Sequence, residues 1–496
     1  MKKYLLLFLS LGLLLSNCKK DDDSIQPSTN PNPNGEDFIV QDFMWTAMNF
    51  WYFWQADVPN LADSKFPNTT EGAKAYTDFL ALEPDPIKFY EDQLLYEDDR
   101  FSFYAEDYKD LTNAIAGISK SNGLEFGLVR FENSDDVFGY VRYIIPNSDA
   151  STKDIKRGDL FTGVNGQTLT INNYIDLLFK DLDTYVLNMA TISGGVISPS
   201  GEEVSLTKQA NLAENPIFLD KIFEINGQKI GYLVYNAFTN EYDEELNAVF
   251  GRFLAGGVTE LVLDMRYNSG GSVNTARLLS SMIYSTNTSN LFLKQRWNSK
   301  IQAQLTDAQL VDNFADKTND GTVLNTLNLS KVYVLATSST ASASELVMNG
   351  LAPYMEVVHI GESTTGKNEF SITMVDDPQS NFGPYLYNPE REGNINPKNR
   401  WAIQPLIGRN ENADGFSDYT DGLAPNIELA EDLSNMGILG SQTEPLLAKA
   451  LEQITGATGK FDFTVEIPAK MMTSSKMFSP LKDNMLLDKP LNLKIQ

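Results

Sequence analysis

After Asn215 the chain alternates short apolar runs with helix-like stretches, and no other feature restricts its fold as tightly. "KIGYLVYNAF", "ELVLDMRYN", "KVYVLAT" and "EVVHIGE" read as strands, whereas "EELNAVFGRFLAGG" and "VNTARLLSSMIY" read as helices between them. Strands this apolar must be covered on both faces, so the alternation predicts a layered α/β domain. Ligands of such sheets bind just beyond the carboxyl ends of the strands. Two polar motifs fall at such ends, "DMRYNSGG" (Asp264 to Gly271) and "TSSTASAS" (Thr337 to Ser344).

Upstream the pattern differs. "GLEFGLVRF", "FGYVRYIIP", "GDLFTGVNG" and "EEVSLTKQ" are strand-like and separated by Gly, Asn and Asp turns, with one helix expected at "INNYIDLLFKDL". Before them, Phe43, Ala47, Phe50, Trp51 and Trp54 recur at three- and four-residue steps, the stripe of a helix facing a core. The chain of 496 residues therefore divides into a helical N-terminal domain (37–115), a mostly stranded domain (116–212), an α/β domain (213–455) and a tail without a motif (456–496).

The first residues are of another kind. "MKKYLLLFLSLGLLLSNC" places two lysines before an apolar run too short to span a bilayer, the pattern of a secretory signal over 1–17. Cys18, the single cysteine, cannot pair within the chain, and "LSNC" resembles the lipobox of bacterial lipoproteins, with Asn17 a loose fit. "KKDDD" is similar to signals that export some Gram-negative lipoproteins to the cell surface; a periplasm-facing anchor is the other placement. The Pro/Asn/Ser-rich stretch that follows makes 18–36 a flexible tether. A net charge of −27, from 39 Lys and Arg against 66 Asp and Glu, makes nucleic acid an unsuitable partner.

"TSSTASAS" carries six hydroxyls in eight residues. Ser342 with Glu345 fits a capping box, which accounts for two residues without any chemistry. A nucleophilic hydroxyl would need a base. The single histidine, His359, lies inside the apolar strand "EVVHIGE", where a structural role suits it better than a Ser-His-Asp triad. A lysine serves if burial lowers its pKa toward 7–8. Lys367, in "GESTTGK" at the end of the next strand, is the candidate.

These three motifs, "DMRYNSGG", "TASASE" and "GESTTGK", resemble the signatures of the C-terminal processing peptidases, or tail-specific proteases. The family's nucleophile lies in an S-A-S-A-S-E run with its general-base lysine 25 positions later, the separation of Ser342 and Lys367. The resemblance implies an orienting acid at Glu345, expected to touch the serine side rather than the ammonium, which it would otherwise hold charged. It also implies an oxyanion hole built from Gly270 or Gly271 with Ala343. Some relatives carry a Gln four positions after the lysine; here Ser371 stands there.

"SNGLEFGLVRF" with "DIKRGDLFTGVNGQTLT" looks like a PDZ domain, in which the loop from Gly123 through Leu124 and Phe126 to Gly127 would hold a peptide's terminal carboxylate while the peptide adds as a strand. The likeness runs from about residue 40 to 455. It implies a multidomain α+β chain whose α/β catalytic domain has a crotonase/ClpP-like layered fold, accompanied by an inserted-type PDZ domain and a small helical N-terminal domain. The implied function is a lipid-anchored serine endopeptidase of the outer membrane, acting on proteins or peptides with apolar C-termini, with no metal and no cofactor. Two alternatives come from other classes. One is an inactive peptide-binding surface lipoprotein. The other is a nucleotide binder, since "GESTTGKN" is one substitution from a P-loop; Asn368 and the strand-like "EFSITMV" beyond it oppose that reading.

Overall fold

The computed structural model describes residues 38–180, 182–456, 469–479 and 482–488. The secretory signal, the tether and the lipidation candidate Cys18 lie outside the described residues.

The α/β body is built on a six-stranded sheet in the order Ile217–Ile225, Gln228–Tyr235, Glu260–Asp264, Lys331–Ala336, Glu356–Gly361, Ile427–Glu428. The first pair is antiparallel and every later pair is parallel. Side chains alternate across the sheet. Leu233, Leu263 and Val334 face a core closed by the helices Asp243–Gly256, Val273–Ile283 and Ala343–Leu351. Tyr232, Val262 and Leu335 face a second core closed by the helix Pro445–Thr455. Each fully buried side chain of this kind contributes about 1.5–3 kcal/mol, so burial on both faces fixes the register of the sheet.

Three neighbouring parallel strands therefore end on one edge, and the segments after Asp264, Ala336 and Gly361 leave that edge side by side. A second six-stranded sheet lies beyond them, in the order Gly271–Ser272, Met485–Leu486, Glu369–Ser371, Leu406–Glu411, Leu291–Trp297, Val311–Asn313.

The helix Ile39–Trp51 buries Phe43, Met44, Ala47, Met48 and Trp51. It ends sooner than the aromatic stripe suggests. Phe53 N–H bonds to the Leu406 carbonyl at 2.9 Å, and Trp54 sits in the following turn, stacked on Tyr96. The N-terminal helices share one continuous core with the α/β body.

The stranded domain forms an antiparallel sheet in the order Ala469–Ser474, Leu124–Phe131, Val137–Ile144, Leu160–Val164, Thr184–Ser193, Val196–Thr207. The helix expected at 171–182 is reduced to Tyr174–Leu178. Asn173 takes the Thr170 N–H on its side chain and donates to the Thr168 carbonyl, holding the preceding residues in a turn instead. The tail is not a separate appendage: Ala469–Ser474 joins this sheet, and Met485–Leu486 joins the second sheet of the α/β body.

Candidate active site

The hydroxyl-rich stretch begins where the strand Lys331–Ala336 ends. Thr337 Oγ1 donates to the Arg266 carbonyl at 2.5 Å and Thr340 Oγ1 to the Met265 carbonyl at 2.8 Å. Ser344 Oγ donates to the Asn268 carbonyl at 3.0 Å. Three hydroxyls thus stitch this loop to "DMRYNSGG", and Ser339 Oγ accepts from Arg142 of the stranded domain at 2.9 Å.

Ser342 is the exception among them. It caps the helix Ala343–Leu351 with φ 64° and ψ −114°, a backbone conformation that strains any side chain with a Cβ. Its oxygen faces the Glu345 amide in capping-box fashion, yet no contact it makes meets hydrogen-bond geometry. The Glu345 half of the box is firm, with Ser342 N–H donating to Oε2 at 2.6 Å.

Glu345 does more than cap. Oε2 also accepts from Lys367 N–H at 2.9 Å, while Oε1 accepts from Gly366 N–H at 2.7 Å and from Thr364 Oγ1. One carboxylate oxygen therefore holds the main-chain amides of Ser342 and Lys367 together. Burial lifts this carboxyl to about 7, opposed by those four donors.

Lys367 Nζ is fully buried and has no hydrogen-bond partner. It lies 5.1 Å from the centre of the Phe101 ring, supplied by the N-terminal region. Desolvation pushes its pKa down from 10.5 to about 8, against the upward pull of Asp483, Glu369, Asp99 and Glu345. Glu345 spends its oxygens on amides and one hydroxyl rather than on the ammonium.

The glycines lie against the serine. A Cβ on Gly270 would come within 2.7 Å of Ser342 Cβ and 2.9 Å of its Oγ, so only glycine lets the loop approach so closely. Gly270 N–H is committed to Asn268 Oδ1 at 2.9 Å, while Gly271 N–H donates to the Asn484 carbonyl at 2.5 Å. Ala343 opens its helix, and a first-turn amide has no acceptor within the helix.

Two of the four peptide-binding candidates, Leu124 and Phe126, line a neighbouring cleft. A space of about 630 Å³ between the stranded domain and the α/β body is bordered by Leu124, Phe126, Gly270 and Gly271. The expected carboxylate-holding loop keeps its amides busy: Gly123 N–H donates to Ser121 Oγ, Leu124 N–H to Asn122 Oδ1 and Phe126 N–H to Ser475 Oγ. Gly127 pairs with Ser474 of the added strand, and its missing Cβ makes room for the Tyr140 ring.

His359 is buried mid-strand opposite Val334, and desolvation pushes its pKa down. After Lys367 the chain enters the strand Glu369–Ser371, so no helix N-terminus is available to cradle a phosphate there. No group of three or more His, Cys, Asp or Glu side chains among the described residues could hold a metal ion.

Sequence reasoning passed over two contributors. Asn268, fully buried, takes Gly270 N–H on its side chain and both Ala341 N–H and Ser344 Oγ on its carbonyl. Thr364 donates to Glu345 and accepts Leu423 N–H at 2.8 Å. Both stand inside the quoted motifs, which was the available signal.

Comparison with known proteins bears on this constellation. Residues 229–382 match Peptidase family S41, and residues 40–103 match the Peptidase S41 N-terminal domain. In these two regions the chain is similar to peptidase family S41. It is 27% identical over 276 residues to the carboxyl-terminal-processing protease of Picosynechococcus sp. (strain ATCC 27264 / PCC 7002 / PR-6), covering 53% of this chain and 58% of that protein. To carboxyl-terminal-processing peptidase 2, chloroplastic, of Arabidopsis thaliana it is 24% identical over 283 residues, covering 55% and 50%. The chain thus spans about half the length of the curated relatives it matches. Among solved structures, a Bacteroides fragilis NCTC 9343 protein described as an S41 protease aligns with a TM-score of 0.63 at 27% identity, over 84% of this chain and 97% of that one. The S41 regions include "DMRYNSGG", "TASASE" and "GESTTGK" and stop short of the stranded domain.

Proposed function

We propose that the protein is a serine endopeptidase that works through a Ser342–Lys367 dyad. The observation that carries this reading is the single Glu345 carboxylate, which draws the main chains of both residues together while their side chains stay buried and unpartnered. Burial keeps the Lys367 amine near the point where a neutral base is available at ordinary pH.

In the proposed cycle Ser342 Oγ attacks the peptide carbonyl carbon as Lys367 Nζ takes its proton. The oxyanion forms against Gly271 N–H and Ala343 N–H; Gly271 is preferred over Gly270 because Gly270 N–H is tied to Asn268 within its own loop, whereas Gly271 N–H holds only the Asn484 carbonyl of the tail, which a substrate would replace. Lys367 returns the proton to the departing amine, leaving an acyl-serine. Water, deprotonated by the same lysine, then releases the new carboxylate. Glu345 acts as a positioning residue.

The stranded domain serves as a PDZ-type module in this reading. Support comes from the edge of Leu124–Phe131, which accepts an extended segment in antiparallel register, the mode by which such a module would take a substrate with an apolar C-terminus. The anchor proposed at Cys18 would hold the enzyme at the outer membrane, facing either side, and intact mass of the membrane-extracted protein should reveal acylation.

The test is turnover of labelled peptides with apolar C-termini by wild type, Ser342→Ala and Lys367→Ala. Both variants are expected to lose cleavage while keeping the fold. Full cleavage by Ser342→Ala refutes the nucleophile, and absence of cleavage by every form, with peptide still bound, favours the inactive peptide-binding reading.

A further inference from the structure

From Met471 onward the chain's own tail follows the path that a peptide substrate would need. Its residues up to Ser474 add antiparallel to Leu124–Phe131, with Met471 opposite Val129 and Ser474 opposite Gly127. Ser475 Oγ donates to Glu125 Oε2 at 2.6 Å and accepts Phe126 N–H at 3.0 Å, so the first backbone position beyond the strand is taken as well. Phe478 stacks on Phe179 with ring centres 3.6 Å apart.

The tail then reaches the candidate active site. The Asn484 carbonyl occupies Gly271 N–H, and its oxygen lies 2.3 Å from where a Gly270 Cβ would stand, a point itself 2.9 Å from Ser342 Oγ. Asn484 Oδ1 accepts from Ser371 Oγ at 2.6 Å, and Leu487 N–H donates to the Ser371 carbonyl at 2.9 Å. Met485 is 0% exposed between Gly271–Ser272 and Glu369–Ser371, and Asp488 accepts from Ser272 Oγ at 2.6 Å. Ser342 and Lys367 are each 0% exposed beneath this arrangement. An amide that already holds a main-chain carbonyl cannot at the same time hold a substrate's oxyanion.

We infer that residues 471–479 and 482–488 are an intramolecular occupant of the substrate path, which a peptide must displace from the Leu124–Phe131 edge and from Gly271 before it can reach Ser342. The inference rests on the Ser342–Lys367 reading. It adds that the two contact points act together: a peptide adding at the neighbouring strand edge competes with the same segment that stoppers the catalytic crevice. As a tethered competitor, the tail acts at a local concentration that free substrate rarely matches.

The test compares the full chain with a form ending at Gly456, both assayed on a labelled peptide with an apolar C-terminus. The shortened form is expected to hydrolyse it at least about tenfold faster. A synthetic peptide of residues 469–488 should bind the shortened form, read by fluorescence anisotropy, and return its rate toward that of the full chain. Because loss of Met485 and its neighbours can cost the fold, a full-length Val129→Cys/Met471→Cys variant provides a second readout. Its oxidised form should be slower than wild type and should recover when a reductant opens the cross-link.

Three results overturn the inference: a folded shortened form that is no faster, an added peptide that fails to bind, or an oxidised double variant as active as its reduced form. A shortened form that is inactive until the peptide is added also overturns it, since the tail would then complete the site rather than stopper it. If no form hydrolyses any peptide, the dyad reading fails instead, and the binding measurement alone decides the tail.

Discussion

Replacing Lys367 with methionine should abolish turnover and yet make the protein harder to unfold at neutral pH. In the unfolded chain this amine titrates near 10.5, and in the folded one burial pushes it down to about 8. Between those values the unfolded chain holds a proton that the folded chain has released, so wild-type stability climbs as pH rises through that window. Below about pH 8 the fold bears the whole penalty, which for a fall from 10.5 to about 8 amounts to about 3 kcal/mol. Methionine has a similar length and no charge, so Lys367→Met removes this component. Equilibrium denaturation of both proteins at pH 7 and at pH 10.5 isolates it, because every other titrating group is common to the pair. The variant should be more stable by about 3 kcal/mol at pH 7, and the gap should narrow toward alkaline pH. A gap that is absent at pH 7, or that does not change with pH, would refute the claim that Lys367 is held in a water-poor site.

Three further expectations follow from the same geometry. The rate kcat/KM of the wild type should rise with pH along a limb with an apparent pKa near 8, set by Lys367, and a flat profile from pH 6 to 9 would exclude it as the base. Glu345→Gln turns one acceptor into a donor facing amides that also donate; kcat should fall about 100-fold and stability by about 1–3 kcal/mol, measured by peptide turnover and by urea denaturation. Arg266→Met leaves Asp264 and Glu444 buried without the guanidinium that pairs with both at 2.7 and 2.6 Å, and thermal melting should report a loss of about 3–5 kcal/mol.

The three strand-end motifs were legible because a parallel sheet imposes order on them. Strand ends that neighbour one another in the sheet must deliver their loops to one edge, so "DMRYNSGG", "TASASE" and "GESTTGK" could be placed together before any coordinate was known. Of the long hairpin Thr184–Ser193/Val196–Thr207 only the end at "EEVSLTKQ" was anticipated, although Gly194–Gly195, both at positive φ, is the signal such a turn gives. The helix at 171–182 was overdrawn because apolar spacing says nothing about an asparagine that captures the backbone at its start. The role of the tail was beyond reach for a different reason. Adding a strand to an open edge is main-chain chemistry, which leaves almost no mark on side-chain pattern, and Ser474 meets Gly127 from the far side of the whole α/β domain in sequence. The difference between the two glycine amides was hidden likewise, since Gly270 N–H is tied to Asn268 within its own loop and Gly271 N–H to Asn484 of the tail.

The positive φ of Ser342 has an evolutionary corollary. Glycine would adopt that geometry without penalty, so the hydroxyl stands there at the expense of backbone ease. In a lineage released from the need for chemistry, mutation to glycine at this point would run thermodynamically downhill, and the scaffold would grow sturdier as it fell silent.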